Sequence, residues 1–176
     1  MTHEAVAVTT EHCVLGEGAR WDERRGESLR VDIVAGRVFR DAVVADGSLV
    51  PVDTYQVPGT VGAIAPVFDD DGWVLAGSGF AYQSPDGTGR PLVDVAAPRT
   101  RINDDACDPQ GRFWAGTLAD DHYVGGGALY RLDRDGRTEL VLGGLTIAKA
   151  LSGARRQHDV PGRQRDAGGP RVHVRR

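Results

Sequence analysis

One turn pattern recurs three times in this chain: aspartates lead to a glycine, and a short strand-like run follows. The turn glycines are Gly26, Gly72 and Gly111, which lie 46 and 39 residues apart. The runs that follow them, such as 28–33 and 73–76, are rich in residues that favour strands. A repeat of about 40–50 residues, built from short strands and Asp/Gly turns, is typical of a β-propeller blade. No segment keeps a helical period of apolar residues over three turns, so we predict an all-β fold with about three blades.

The most informative segment is 101–117, where polar side chains come just before a tight turn and a strand. Its cluster contains Arg101, Asn103, Asp104 and Asp105, and the turn 108–111 reads Asp-Pro-Gln-Gly. Proline fixes φ for such a turn, and glycine accepts a positive φ. Charged and amide groups held on a rigid β-scaffold are typical of a small-molecule site. We expect Asp104 and Asp105 themselves to be turn or surface groups.

Composition excludes several classes of protein. With 40% hydrophobic residues and 24 glycines, the chain can bury a core and turn often. Its two cysteines, Cys13 and Cys107, form no disulfide framework or zinc spacing, which predicts reduced thiols in a cytoplasmic protein. We find no signal peptide at the N-terminus and no apolar run of about 18 residues, so no membrane partner is predicted.

The charge is unevenly distributed. Residues 149–176 carry a net charge of +6, whereas residues 1–148 carry −10. A basic tail on an acidic domain usually indicates that the protein binds nucleic acid or an anionic surface. This tail has no aromatic residue, no apolar period and no repeat, so we predict no nucleic-acid partner.

A reading-frame change explains the tail better. One lysine against twenty arginines indicates a GC-rich gene. Back-translated with the third base chosen at four codons and read one base later, residues 155–166 spell Asp-Gly-Ser-Thr-Thr-Tyr-Leu-Ala-Asp-Ser-Gly, which is another turn and strand. We therefore predict two regions, a propeller part at 1–148 and an out-of-frame tail at 149–176 that is irregular or disordered.

Six motifs in order resemble the N-terminal half of the senescence marker protein/regucalcin/gluconolactonase family of six-bladed propellers. The matching segments are 15–22, 31–33 with 36–38, 101–104, 108–117, 127–133 and 144–148. The resemblance implies hydrolysis of a sugar lactone by a divalent metal, whether calcium, zinc, magnesium or manganese.

The resemblance also implies roles for three side chains. Glu17 matches a metal ligand of the family, and Arg101 and Asn103 match residues that hold the oxygens of the lactone. Considered without the family, Glu17 is better explained as a solvated turn residue. Arg101 and Asn103 are then explained equally well as a pair that stabilises a loop.

Two departures from the family pattern concern catalysis. Lys149 stands where the family has a metal-binding asparagine, and an ammonium group has no lone pair to offer a metal. The family aspartate that serves as general base lies downstream of the matching segments, so no catalytic residue is predicted to be retained. We expect a truncated lactonase with weak or no activity and a weakly bound metal. The alternative is a non-catalytic propeller fragment that binds calcium or a partner, and self-association through exposed blade edges is also predicted.

Overall fold

The structure is a computed structural model that describes residues 4–152. This part of the chain forms twelve strands in three four-stranded antiparallel sheets, each with its strands in chain order. The prediction of an all-β, partial propeller with about three blades is confirmed. Blade 1 contains β1 (Gly16–Asp22), β2 (Glu27–Asp32), β3 (Arg37–Val43) and β4 (Leu49–Gln56); blade 2 contains β5 (Ala63–Pro66), β6 (Trp73–Ala76), β7 (Gly79–Gln83) and β8 (Gly89–Asp94); blade 3 contains β9 (Thr100–Cys107), β10 (Phe113–Ala119), β11 (Gly127–Leu132) and β12 (Thr138–Leu145).

The recurring Asp/Gly pattern forms the first hairpin of each blade. Gly26 and Gly111 have φ values of 65° and 77°, where glycine has no steric penalty. In the blade 2 hairpin, Asp69 has the positive φ instead, at 53°. Gly72 is needed there for space, because a Cβ would lie 2.5 Å from the ring of Tyr82. The same sequence pattern therefore forms hairpin turns with two different backbone conformations.

Apolar side chains fill the two spaces between neighbouring blades. Phe80 of blade 2 and Phe113 of blade 3 meet edge to face, with ring centroids 5.8 Å apart. Between blades 1 and 2, Trp73 is fully buried and lies 6.2 Å from the ring of Tyr55. This packing places the first strands side by side, since β5 contacts both β1 and β9. The residues singled out from the sequence lie on these first strands.

A buried carboxylate also ties blade 1 to blade 2. Asp22 accepts hydrogen bonds from the guanidinium of Arg24, at 2.7 and 2.9 Å, and from Nε1 of Trp73 at 3.2 Å. Arg24 in turn donates to the backbone carbonyl of Val67 at 2.9 Å and to that of Asp70. The pKa of Asp22 lies below its ordinary value, because these donors outweigh the effect of burial. Asp22 thus fixes the turn after β1 against the first hairpin of blade 2.

The predicted tail is described only in part. Residues 149–152 have no regular secondary structure, and residues 153–176 lie outside the described residues. The outermost strand of blade 3, β12, exposes apolar side chains, namely Leu140, Val141 and Leu142. None of the described segments forms an apolar helix long enough to span a bilayer. Cys13 and Cys107 are both free thiols.

Candidate functional site

Glu17 lies at an irregularity of β1. Glu17 pairs with Val31 and Arg20 pairs with Leu29, so β1 carries one extra residue between these two positions. Gly18 within the bulge has a φ of 64°, which a residue with a side chain rarely adopts. Bulges re-aim side chains and are common beside functional sites. The carboxylate of Glu17 is partly exposed, with 38% of its side chain accessible.

Asn103 lies at a second bulge, on the first strand of blade 3. Along β9 the partner of Asp104 is Gly116 and that of Ile102 is Thr117, which leaves Asn103 without an opposite residue. Asn103 is only 7% exposed, and both polar atoms of its amide have a protein partner. Its Nδ2 donates to the carbonyl of Ala148 at 3.2 Å, and its Oδ1 accepts from Arg101 at 3.0 Å.

Arg101 is a cation bonded directly to Asn103. Besides Asn103, its Nη1 donates to the carbonyl of Ile102 at 3.4 Å. Burial lowers the pKa of Arg101, and the negative charges of Asp120 and Glu17 act against that decrease. The structure thus brings Glu17, Arg101 and Asn103 into one electrostatic neighbourhood, although they come from blades 1 and 3.

Lys149 forms an ion pair with Glu17, the residue that the family resemblance assigns as a metal ligand. Its Nζ lies 2.9 Å from Oε1 of Glu17, and 54% of the lysine side chain is exposed. The sequence predicted that Lys149 could not serve as a ligand. The structure adds that its ammonium group is paired with Glu17, the residue that the resemblance assigns as a ligand.

The segment carrying Lys149 is seated against blade 3 by several contacts. Ile147 forms a bridge with Leu118, and the N–H of Leu151 donates to Oδ2 of Asp104 at 3.1 Å. The close approach also requires Gly116, because a Cβ there would lie 2.3 Å from that of Ala148. Asp104 therefore anchors this segment.

The expectation that Asp104 and Asp105 are turn or surface groups is wrong, because both lie within β9 and the side chain of Asp105 is buried. Asp105 is 9% exposed and accepts a hydrogen bond from the guanidinium of Arg20 on β1. Arg20 also donates to Sγ of Cys107 at 3.1 Å. Sequence reasoning missed Arg20, because nothing in the local pattern links it to a residue 85 positions away. It missed Asp120 as well, whose charge acts on Arg101.

The residues of this neighbourhood do not form a metal site by themselves. Within residues 4–152, no three His, Cys, Asp or Glu side chains are grouped closely enough to hold an ion. Glu17 already faces an ammonium group, and both polar atoms of Asn103 are used by protein partners. A single neutralised carboxylate is a poor donor set for a divalent cation, which prefers several oxygen ligands.

Comparison with known proteins shows the family. Residues 15–155 match the family model described as SMP-30/Gluconolactonase/LRE-like region. The chain is 33% identical to 6-deoxy-6-sulfogluconolactonase of Pseudomonas putida, over 86% of this chain and 52% of that protein. It is 32% identical to a pentonolactonase of Haloferax volcanii, over 82% of this chain and 47% of that protein.

Solved structures agree on the fold. A calcium-binding protein, regucalcin, from Agrobacterium tumefaciens superposes with a TM-score of 0.71 at 21% identity, covering 80% of this chain and 47% of that protein. The chain spans about half the length of these relatives. It therefore belongs to the SMP-30/gluconolactonase/LRE-like family and corresponds to three blades of its propeller.

Proposed function

We propose that the protein to which this chain belongs is a hydrolase of sugar lactones, and that blades 1 and 3 supply its lactone-holding side. The observation that carries the proposal is that adjacent residues, Ala148 and Lys149, contact Asn103 of blade 3 and Glu17 of blade 1. Arg101 is bonded to the same asparagine. Its relatives include enzymes named for gluconolactone and pentonolactone chemistry, which supports a sugar lactone as the substrate class.

Arg101 is the residue best suited to bind the substrate. Of its five N–H donors, the described contacts use only those on Nη1, so others remain to reach the oxygens of a lactone. When water adds to the lactone carbonyl, negative charge develops on the carbonyl oxygen, and the C–O bond of the ring then breaks to give a hydroxy acid. A fixed guanidinium near that oxygen would stabilise this charge. Asn103 holds Arg101 in place through its Oδ1.

The family match supports a divalent cation in the whole protein, and one structural neighbour is itself described as calcium-binding. The described residues do not complete such a site, so we assign no step of the reaction to a metal. The general base predicted from the family also falls outside the matching segments. For this chain we therefore propose weak or no turnover, in a cytoplasmic setting that rests on its unpaired cysteines.

A second candidate is a non-catalytic fragment that binds calcium or a partner. The Lys149–Glu17 ion pair favours its non-catalytic character and counts against calcium at Glu17. An ammonium group paired with that carboxylate competes with a cation for its oxygens. Self-association through the exposed edge of blade 3 belongs to this second candidate.

Lactone turnover separates the two candidates. The assay follows proton release from a panel of aldonolactones in a pH-stat, because hydrolysis converts each neutral lactone into a carboxylate. Arg101→Met is expected to lower kcat/KM by about a hundredfold. Arg99→Met is the matched control, since Arg99 is 75% exposed and pairs only with Asp121 at 3.2 Å in the described contacts. If the parent hydrolyses a lactone at a measurable rate, equal activity of Arg101→Met would refute the role of Arg101. Lactone binding without turnover in the parent would favour the second candidate.

A further inference from the structure

A largely buried side chain, that of Arg20, reaches from blade 1 to blade 3. Nη2 of Arg20 donates to the carboxylate of Asp105, and Nη1 donates to Sγ of Cys107 at 3.1 Å. The side chains of Arg20 and Asp105 are 18% and 5% exposed. Arg20 comes from β1 and its two partners come from β9, with β5 of blade 2 between the two strands. The contact therefore joins two blades that are not neighbours in the fold.

The pair lies beside both irregular strand segments of the candidate site. Arg20 follows Glu17 by three residues and closes the bulge of β1. Asp105 follows Asn103 by two residues and comes just after the bulge of β9. A shift of β1 relative to β9 would thus move Glu17 relative to Arg101 and Asn103.

The chemistry of the pair favours a geometric role over a stabilising one. A buried ion pair gains little free energy over an apolar pair of similar volume, because both ions lose their hydration. Burial raises the pKa of Asp105 to about 6, even though Arg20 acts in the opposite direction. A guanidinium adds directional hydrogen bonds, because its planar fork of N–H groups donates to partners in fixed positions. Here the fork is shared between a carboxylate and a thiol on the same strand.

We propose that Arg20 is a positioning residue that holds β1 at a fixed distance and orientation from β9. It acts through Asp105 and Cys107, and it fixes the position of Glu17 relative to Arg101 and Asn103. The value of that alignment for catalysis rests on the proposed function, whereas the alignment itself does not. The other described link between these blades, from Lys149 to Glu17, is exposed and is expected to contribute little.

The test measures the distance between the two blades directly. Spin labels on bioorthogonal amino acids replace Ala45 in the β3–β4 turn and Arg134 in the β11–β12 turn, which are both exposed. Pulsed electron paramagnetic resonance then gives the distribution of distances between blades 1 and 3. The full chain is used throughout, and both native cysteines are kept.

Arg20→Lys is the principal variant, because lysine retains the charge and loses the planar fork. Arg30→Lys is the matched control. Arg30 forms an ion pair of similar burial with Asp41, at 2.7 Å, but both residues lie within blade 1. We expect Arg20→Lys to broaden the distance distribution about twofold and Arg30→Lys to leave it as in the parent. The double variant Arg20→Met/Asp105→Asn, which leaves no buried charge unpaired, is expected to broaden it as well.

Two outcomes would overturn the proposal. Either the distribution stays as narrow in Arg20→Lys and in the double variant as in the parent, or Arg30→Lys broadens it equally. Neither depends on turnover, so an inactive parent would count against the proposed function alone. If the parent is active, Arg20→Lys is further expected to lower kcat/KM toward lactones about tenfold while the chain stays folded.

Discussion

Removing the carboxylate of Asp22 is expected to loosen the contact between blades 1 and 2. In Asp22→Ala, the buried Nε1–H of Trp73 loses its acceptor, which costs about 1–3 kcal/mol. Arg24 loses two bonds to its counter-ion, and its side chain is only 14% exposed. Leaving such a charge without its partner raises the total to about 3–5 kcal/mol. Arg24 keeps its bonds to blade 2 carbonyls, so we expect the chain to fold with reduced stability.

Urea unfolding followed by tryptophan fluorescence measures this loss, with the free energy of unfolding compared at constant m-value. Trp73→Phe removes the indole donor and leaves the ion pair, so it should cost less than Asp22→Ala. Asp71→Ala is the control, because Asp71 is 86% exposed and faces Arg25 at 3.9 Å. It is expected to change stability by about 0.5 kcal/mol or less. A loss below about 1 kcal/mol in Asp22→Ala would refute the claim that this carboxylate joins the two blades.

Three further predictions concern the core, a turn and acid stability. Phe113→Ala should cost about 3–5 kcal/mol in chemical denaturation, since Phe113 is fully buried, whereas Val124→Ala, at an 87% exposed position, should change stability by about 0.5 kcal/mol at most. Gly36→Ala should lower the melting temperature more than Gly26→Ala: both have positive φ values, but only at Gly36 would the new Cβ meet a backbone carbonyl, at 2.2 Å. The pKa of Asp32 lies below its ordinary 3.8, because its three backbone N–H donors and a guanidinium outweigh burial. The resulting stabilisation is present above pH 3.8 and is lost as the pH falls through the folded-state pKa. The free energy of unfolding of Asp32→Asn should therefore fall less steeply than that of the parent as the pH is lowered.

Much of the fold could be predicted because it is encoded locally. The spacing of Gly26, Gly72 and Gly111 reports the length of a blade, and a turn depends only on the few residues that form it. The family motifs likewise pointed to Glu17, Arg101 and Asn103, whose roles remain proposals. Even so, the pattern did not distinguish a glycine required by φ from Gly72, which is required by the ring of a residue in a different strand.

The sequence by itself determined that this protein is an all-β chain of about three propeller blades with polar groups before the turn at 108–111. Only the tertiary structure decided which distant polar side chains contact each other. It brought Lys149 into an ion pair with Glu17, 132 residues away, and Arg20 into an ion pair with Asp105, 85 residues away. Such contacts depend on how whole blades are rotated and spaced about β5, and that is set by the apolar packing between blades. No local pattern of turn residues or charges carries this information.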